Sequence, residues 1–341
     1  MAELIGEYID RLITVEMVDD NYPRRGDTLK LYERARELQG LPLTYLAAKG
    51  LVENVNKGDY VILLAGCGGY PRLPVGETDS PSGVASLARA VSFGLGAHPI
   101  YIGREEELGP VLAAGVVAGI TVLDREAIEV HKRRNTALCI PFPIEESEGE
   151  EKALQIIEEY RPAAVIAVEK HAPNPVGAWH NAEGHASGAQ VRVDYLVEEA
   201  KRRGIFTVGT GDGGNEIGFG MIADEANEIF KAHYGVTCQC GCGGGQATAT
   251  ATDVLVPAAV SNWGAYGISA CLAYMLEDPF ILQDPDTERR MVEAVANAGA
   301  GEWVTGASVP WVDGTTLEAQ QALVTLLHEI VGNALRRKGV T

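Results

Sequence analysis

The chain is short of positive charge. Its 28 lysines and arginines face 47 aspartates and glutamates, which leaves a net charge of −19. A surface of that sign repels phosphate backbones and anionic lipid heads, so neither nucleic acid nor a membrane surface is an expected partner. A small anionic substrate is not excluded, because the local field of a cleft outweighs net charge. Long apolar runs are also missing, and no stretch reads as a transmembrane helix. Residues 1–12 carry acids where a secretory signal would have a basic stretch. The expected address is the cytoplasm. The six cysteines are then expected as thiols or metal ligands, not as a disulfide framework. Two nucleotide signatures fail as well. The glycine-rich loop at 211–220 lacks the Lys-Ser/Thr of a phosphate-binding loop, and its glycines do not fit the dinucleotide fingerprint. No nucleotide cofactor is expected.

What is present describes a globular chain. Its 341 residues are 46% hydrophobic and 22% charged, enough to bury a sizeable core. Short apolar runs recur at 60–64, 99–102, 120–123, 137–140, 164–168, 206–208 and 254–256. Each has the length of a strand and lacks polar alternation, as in a parallel sheet covered on both faces. Helical patterns fall between them, at 84–93, 152–160, 191–203 and 265–276. The alternation predicts an α/β fold, a doubly wound and mainly parallel sheet with helices on both faces. Amphipathic helices at 29–38 and 317–335 have no strand beside them. The chain therefore reads as one domain, 1–341, with mainly helical flanks at 1–55 and 280–341. There is no internal repeat.

Ligands of an open parallel sheet bind beyond the carboxyl ends of its strands. Four predicted strand ends deliver polar residues there. The first is followed by Gly-Glu77-Thr78-Asp79-Ser-Pro-Ser-Gly, which opens a helix. The fifth leads into Glu169-Lys170-His171 and then Trp179-His180-Asn181. The sixth leads into Gly-Asp212-Gly213-Gly214-Asn215-Glu216-Ile-Gly-Phe-Gly, and the last into Val-Ser261-Asn262-Trp-Gly. Asp212, Asn215 and Glu216 stand in a loop that needs no acids to turn. Its glycines let backbone approach a ligand, its N–H groups can form an anion nest, and its carboxylates suit a divalent metal or a base. The segment from Glu77 reads either as an ordinary helix start or as a ligand-binding one. Glu169 and Lys170 read as a surface ion pair or as site residues. Ser261 or Asn262 reads as a helix cap. Cys238-Gln-Cys240-Gly-Cys242 offers three thiols to zinc or a cluster, with Cys67, Cys139 or Cys271 as a fourth ligand, or it is a reduced connector. The common zinc spacing, with a distant second pair, is absent.

At these residues the sequence resembles the D-glutamate cyclase-like family. The resemblance is carried by Gly76-Glu-Thr-Asp-Ser-Pro-Ser-Gly83, by the 211–220 loop and by Val260-Ser-Asn-Trp-Gly-Ala-Tyr-Gly267. Weaker likeness lies at 167–171, 179–181, 304–306 and 312–314. It implies ring closure of D-glutamate to 5-oxo-D-proline with loss of water, a hydro-lyase reaction aided by a divalent metal such as Mg²⁺ or Mn²⁺. Glu169 or Asp212 then suits the base. Asp212 and Glu216 suit the metal, with Lys170 and loop N–H groups as the alternative means of neutralising the carboxylate, and His180 suits the final proton donor. Glu77, Thr78, Asp79, Asn181, Gly213, Gly214, Asn215, Ser261 and Asn262 are the expected substrate contacts. The chain departs from the family pattern where Lys170 replaces an expected arginine, where Trp179-His180-Asn181 and Glu183 replace an aromatic pair and a following arginine, and in the cysteine cluster. An amide- or lactam-acting enzyme on another substrate and a non-catalytic metal-binding protein remain the other readings. The expected partner is a small molecule, an amino acid or cyclic amide, and the sequence is compatible with self-association.

Overall fold

The structure is a computed structural model that describes residues 1–17, 26–66, 68, 72–131, 135–188 and 190–340. Cys67 lies outside the described residues. Seven strands form one sheet: β1 (Tyr60–Leu64), β2 (His98–Gly103), β3 (Thr121–Val122), β4 (Thr136–Pro141), β5 (Ala164–Val168), β6 (Phe206–Gly211) and β7 (Val254–Pro257). Their order is β3-β4-β2-β1-β5-β6-β7, and every paired register is parallel. The expected α/β class is therefore observed, and each predicted strand is present.

The missing polar alternation has the cause expected for a doubly covered sheet. Val61 and Leu63 of β1 point into one apolar core and Ile62 and Leu64 into another. In β5, Ile166 and Val168 face the first core while Val165 and Ala167 face the second. The second core is closed mainly by α7 (Glu146–Tyr160) and α8 (Asp194–Arg202). The first is larger. It takes in α1 (Ala2–Ile13), α2 (Asp27–Gln39), α3 (Leu43–Asn54), α4 (Asp79–Arg89), α5 (Leu108–Val117), α10 (Ser261–Met275) and α12 (Leu317–Lys338). Three further helices, α6 (Arg125–His131), α9 (Ala223–Tyr234) and α11 (Pro285–Asn297), complete the set among the described residues.

Two helices matter most for position. α4 begins earlier than the apolar pattern suggests, at Asp79, and runs on into a π-helical turn at Ala90–Leu95. α10 is buried from Ser261 to Tyr274, as a helix apolar on all sides must be. Fully buried side chains such as Ile268 and Leu272 each stabilise it by roughly 1.5–3 kcal/mol. Gly264 lets the first turn of α10 press against β6, because a Cβ there would collide with Thr210 Oγ1. The helical flanks are built in rather than appended. Asp10 of α1, fully buried, accepts the N–H groups of Leu43 and Thr44 at 2.6 and 3.1 Å and so caps α3 from outside. No helix among the described residues is long and apolar enough to cross a membrane.

Candidate active site

From β1 the chain moves outward to β2, and from β4 it returns to the other side of β1 as β5. The switch point is the gap between the ends of β1 and β5, where a ligand crevice is expected. Ser80, in the first turn of α4, bridges this gap: its hydroxyl donates to the Val168 carbonyl at 2.7 Å and accepts from the Gly66 N–H at 3.0 Å. One residue before it, Asp79 opens α4 and is buried. Glu169 directly follows β5 and Asp212 directly follows β6. One carboxylate oxygen from each of Asp79, Glu169 and Asp212 lies within 4.8 Å of the others. Beside them lies a cleft of about 590 Å³, its mouth included, lined by Glu169 and Asp212 together with Glu77, His171, Asn181, Ser187, Gln190, Asn215, Glu216, Trp303 and Asp313.

So much acid under so little water is electrostatically costly. Burial pushes the Asp79 carboxyl up to about 7, with the Glu216 charge adding to it. Burial, then Glu216, Asp212 and Asp79, holds Glu169 well above the carboxylate range. Asp212 is raised by burial and by Asp313. Asp313 is raised by burial and Asp79, and Asp212 lies close enough to act on it in turn. Several carboxylates this close do not all ionise; they share protons or take up a cation. Neither Asp79 oxygen has a hydrogen bond of normal geometry, and Ser187 Oγ and Gln190 Oε1, both facing the cleft, are also buried without one. Buried polar atoms left unpaired at one place indicate a site that a ligand completes. The backbone is strained there too: Glu169 and Asp313 occupy the left-handed region at φ 46° and 44°, where a side chain costs free energy that the surroundings must supply.

Glu169 has fixed neighbours. The Ser261 hydroxyl donates to its Oε2, and His171 Nε2 lies 3.3 Å from its Oε1. Gln190 Nε2 sits 3.3 Å from His171 Nδ1. Burial and the Lys170 charge push His171 down to about 3, so it is neutral. With the Gln190 amide donating to Nδ1, the ring proton falls on Nε2 and faces Glu169.

The 211–220 loop is wound differently from its expected use. Glu216 points inward and accepts three backbone N–H groups, from Asp212 and Gly213 at 3.0 and 2.7 Å and from Gly214 at 2.7 Å. The nest is filled by the protein's own carboxylate, so Gly213 and Gly214 have no N–H free for a substrate anion. Glu216 is correspondingly engaged as the loop's anchor and not as a free metal ligand. Asp79 and Glu169 stand with Asp212 where Glu216 was expected. A second loop repeats the device. Glu302, fully buried, accepts N–H groups of Val304, Thr305 and Gly314 at 2.8, 2.6 and 2.7 Å, and so delivers Asp313 and Trp303 to the cleft.

Four other expected residues lie apart from the acids. Lys170, fully buried, donates to the Gly66 carbonyl and pairs with Glu107 at 3.1 Å, so it does not line the cleft. Asn262 donates to Tyr266 Oη and Gln320 Oε1, both at 3.0 Å, tying α10 to α12. Thr78 flanks α4 without reaching the cleft. His180 turns away: its Nε2 lies 3.0 Å from Cys240 Sγ and 3.7 Å from Cys242 Sγ. Glu77, Asn181 and Asn215 do line the cleft. Missed by the sequence reading were His171, Gln190 and Asp313. Only the Val-Asp-Gly motif at 312–314 gave a signal for the last. No lysine or arginine lines the cleft among the described residues.

Residues 29–328 match the family described as D-glutamate cyclase-like, C-terminal. Human mitochondrial D-glutamate cyclase is 31% identical over 114 residues, which is 33% of this chain and 17% of the human protein. The match thus spans about a sixth of that relative's length.

Proposed function

Because the chain belongs to the D-glutamate cyclase-like family, we propose that it closes D-glutamate, or a close relative of it, to a five-membered lactam with loss of water. The observation that carries this reading is the Asp79–Glu169–Asp212–Asp313 cluster beyond β1, β5 and β6. The reaction requires a substrate ammonium to give up protons and a carboxylate oxygen to receive them. The nitrogen sheds two protons, its lone pair attacks the γ-carboxyl carbon, and one carbon–oxygen bond breaks. The departing oxygen leaves as water with two protons, so the site relays protons and consumes none.

In this reading Glu169 takes the first proton. Its raised pKa matches it to an amine better than an ordinary carboxylate would. His171 and Ser261 keep it oriented. The neighbouring Asp212 and Asp313, both held above the carboxylate range, return a proton to the leaving oxygen. The ammonium is drawn in by the acids, and Asn181 and Asn215 lie where they can bind polar substrate groups. The unpaired oxygens of Asp79, with Glu169 and Asp212, form an oxygen-only donor set that fits Mg²⁺ or Mn²⁺. When bound there, such an ion would supply charge neutralisation of the γ-carboxylate and stabilise the developing oxyanion.

The cleft has no described cation for a second substrate carboxylate. That favours, as a second reading, an amino acid or cyclic amide carrying less negative charge than glutamate. The test follows D-glutamate, L-glutamate, 5-oxo-D-proline and a panel of neutral lactams by proton NMR, with Mg²⁺, Mn²⁺ or chelator. Turnover of D-glutamate that disappears in Glu169→Gln supports the first reading. Turnover of a neutral member alone supports the second. No turnover in either direction under any condition sinks both.

A further inference from the structure

The structure assigns a second, separate metal site: His180, Cys238, Cys240 and Cys242 form a closed Cys₃His site for one zinc-class ion, which holds a wall of the acidic cleft in place. The four ligand atoms lie within 4.8 Å of one another. Cys238 Sγ is 3.6 Å from the sulfurs of both Cys240 and Cys242. His180 Nε2 is 3.0 and 3.7 Å from the sulfurs of Cys240 and Cys242. A tetrahedral zinc with Zn–S near 2.3 Å has sulfur–sulfur edges of about 3.8 Å. The donors therefore surround one ion. An iron–sulfur cluster, with several irons and bridging sulfides, needs its ligands farther apart.

The local sequence produces this geometry. Residues two apart in an extended strand stand about 6.6–6.8 Å apart, too far for one ion. Gly241 and Gly243 take φ of 75° and 82°, which winds the chain so that the thiols at 238, 240 and 242 converge. The sulfurs are also furnished with donors. The N–H of Cys242 reaches Cys240 Sγ and that of Gly244 reaches Cys242 Sγ, each at 3.4 Å. Asn174 Nδ2 reaches Cys242 Sγ at 3.2 Å and the Gly245 carbonyl at 2.7 Å. Asn174 is itself oriented by N–H groups of Val176 and Ala178 on its Oδ1. Such outer contacts favour the thiolate and fix its direction, as around known metal sites. With four protein ligands and His180 and Cys238 buried, the site is of the structural kind, with no position reserved for substrate.

Its position explains what it would do. Asn181 and Ala182, which directly follow His180, line the acidic cleft, and the cleft residue Asn215 donates to the His180 carbonyl at 3.0 Å. On the far side Gln246 donates to the Gly213 carbonyl at 3.3 Å and Thr248 N–H to the Gly214 carbonyl at 3.2 Å. The ion thus clamps the 180s segment and the cysteine loop around the 211–220 loop.

The experiment uses tag-free, full-length protein purified without chelator. Elemental analysis is expected to find one zinc equivalent. Replacement with Co²⁺ is expected to give the thiolate-to-cobalt charge-transfer and visible bands of a tetrahedral site. Cys238→Ser/Cys240→Ser/Cys242→Ser is expected to lose both. Should that triple variant fail to fold, His180→Ala alone is expected to shift the cobalt bands. Glu169→Gln/Asp212→Asn is expected to keep the zinc equivalent, which separates this site from the acidic one and from the proposed reaction. Absence of zinc together with absence of cobalt charge transfer overturns the assignment. So does a thiol count showing two of the three cysteines joined in a disulfide.

Discussion

Replacing Asp79 by asparagine is expected to make the metal-free protein more stable at pH 8 while removing its activity. Asp79 is 1% exposed, neither oxygen is hydrogen-bonded in normal geometry, and burial lifts its carboxyl from 3.8 to about 7. Between those values the native chain holds a proton that the unfolded chain has lost. Stability therefore falls as pH rises through the window from about 4 to 7, and the loss is complete above it. At ~1.4 kcal/mol for each pH unit, the ionised Asp79 costs on the order of 4 kcal/mol at pH 8. The amide that replaces the carboxylate is uncharged and nearly the same shape. The substitution gives up an acid in the first turn of α4, worth roughly 0.3–1 kcal/mol with the helix dipole, so relief of the buried charge wins. Asp79→Asn should gain about 2–4 kcal/mol at pH 8 and clearly less at pH 5. The assay is urea unfolding of wild type and variant in chelator at both pH values. Adding Mn²⁺ should then stabilise the wild type at pH 8 and leave the variant nearly unchanged. A stability difference between the two proteins that does not grow from pH 5 to pH 8 would rule out a buried, raised Asp79 carboxyl as its cause.

Glu216→Gln should cost about 2–4 kcal/mol, since three N–H groups lose a carboxylate and one faces an NH₂; equal unfolding midpoints for variant and wild type would contradict this. Lys170→Met should destabilise by about 3–5 kcal/mol because it strands the buried Glu107, and Lys170→Met/Glu107→Leu should recover most of it in the same unfolding measurement. Gly264→Ala should lower soluble yield and Tm by driving a methyl into Thr210 Oγ1; Thr210→Ala in the same chain should restore part of the loss, and an additive result would show that the contact is not the cause. Glu169→Gln should reduce turnover by at least about 100-fold with Tm unchanged or raised, read by NMR turnover and thermal melts.

The fold was legible because a doubly covered parallel sheet leaves a local signature. Runs such as 60–64 and 164–168 are apolar on both faces, and they became β1 and β5 without a shift of one residue. The edge of the sheet where the acids gather was legible for the same reason. The direction of each side chain was not. Lys170 and His171 are adjacent, and alternation sends one into an ion pair with Glu107 and the other to Glu169. Glu216 looked like a free acid, because nothing in Gly-Asp-Gly-Gly-Asn-Glu says that the loop closes around its own carboxylate. Asp313 reaches the cleft from about a hundred residues beyond Asp212, inside a flank expected to be mainly helical, on a loop whose shape depends on Glu302. His180 and the cysteine cluster were separate departures from the family pattern in the sequence. In space they are one feature.

The two loops that close around Glu216 and Glu302 have a further consequence. Backbone N–H groups are the usual means by which a loop offsets negative charge near a ligand, and here both loops direct theirs at their own buried glutamates. Among the described residues no lysine or arginine lines the cleft to offset its remaining acids. Such a cleft should behave as a weak-acid ion exchanger, taking up protons or cations according to the surrounding solution. The occupancy of the cleft, and with it the rate, should track ambient pH and free divalent ion together, each competing for the same oxygens.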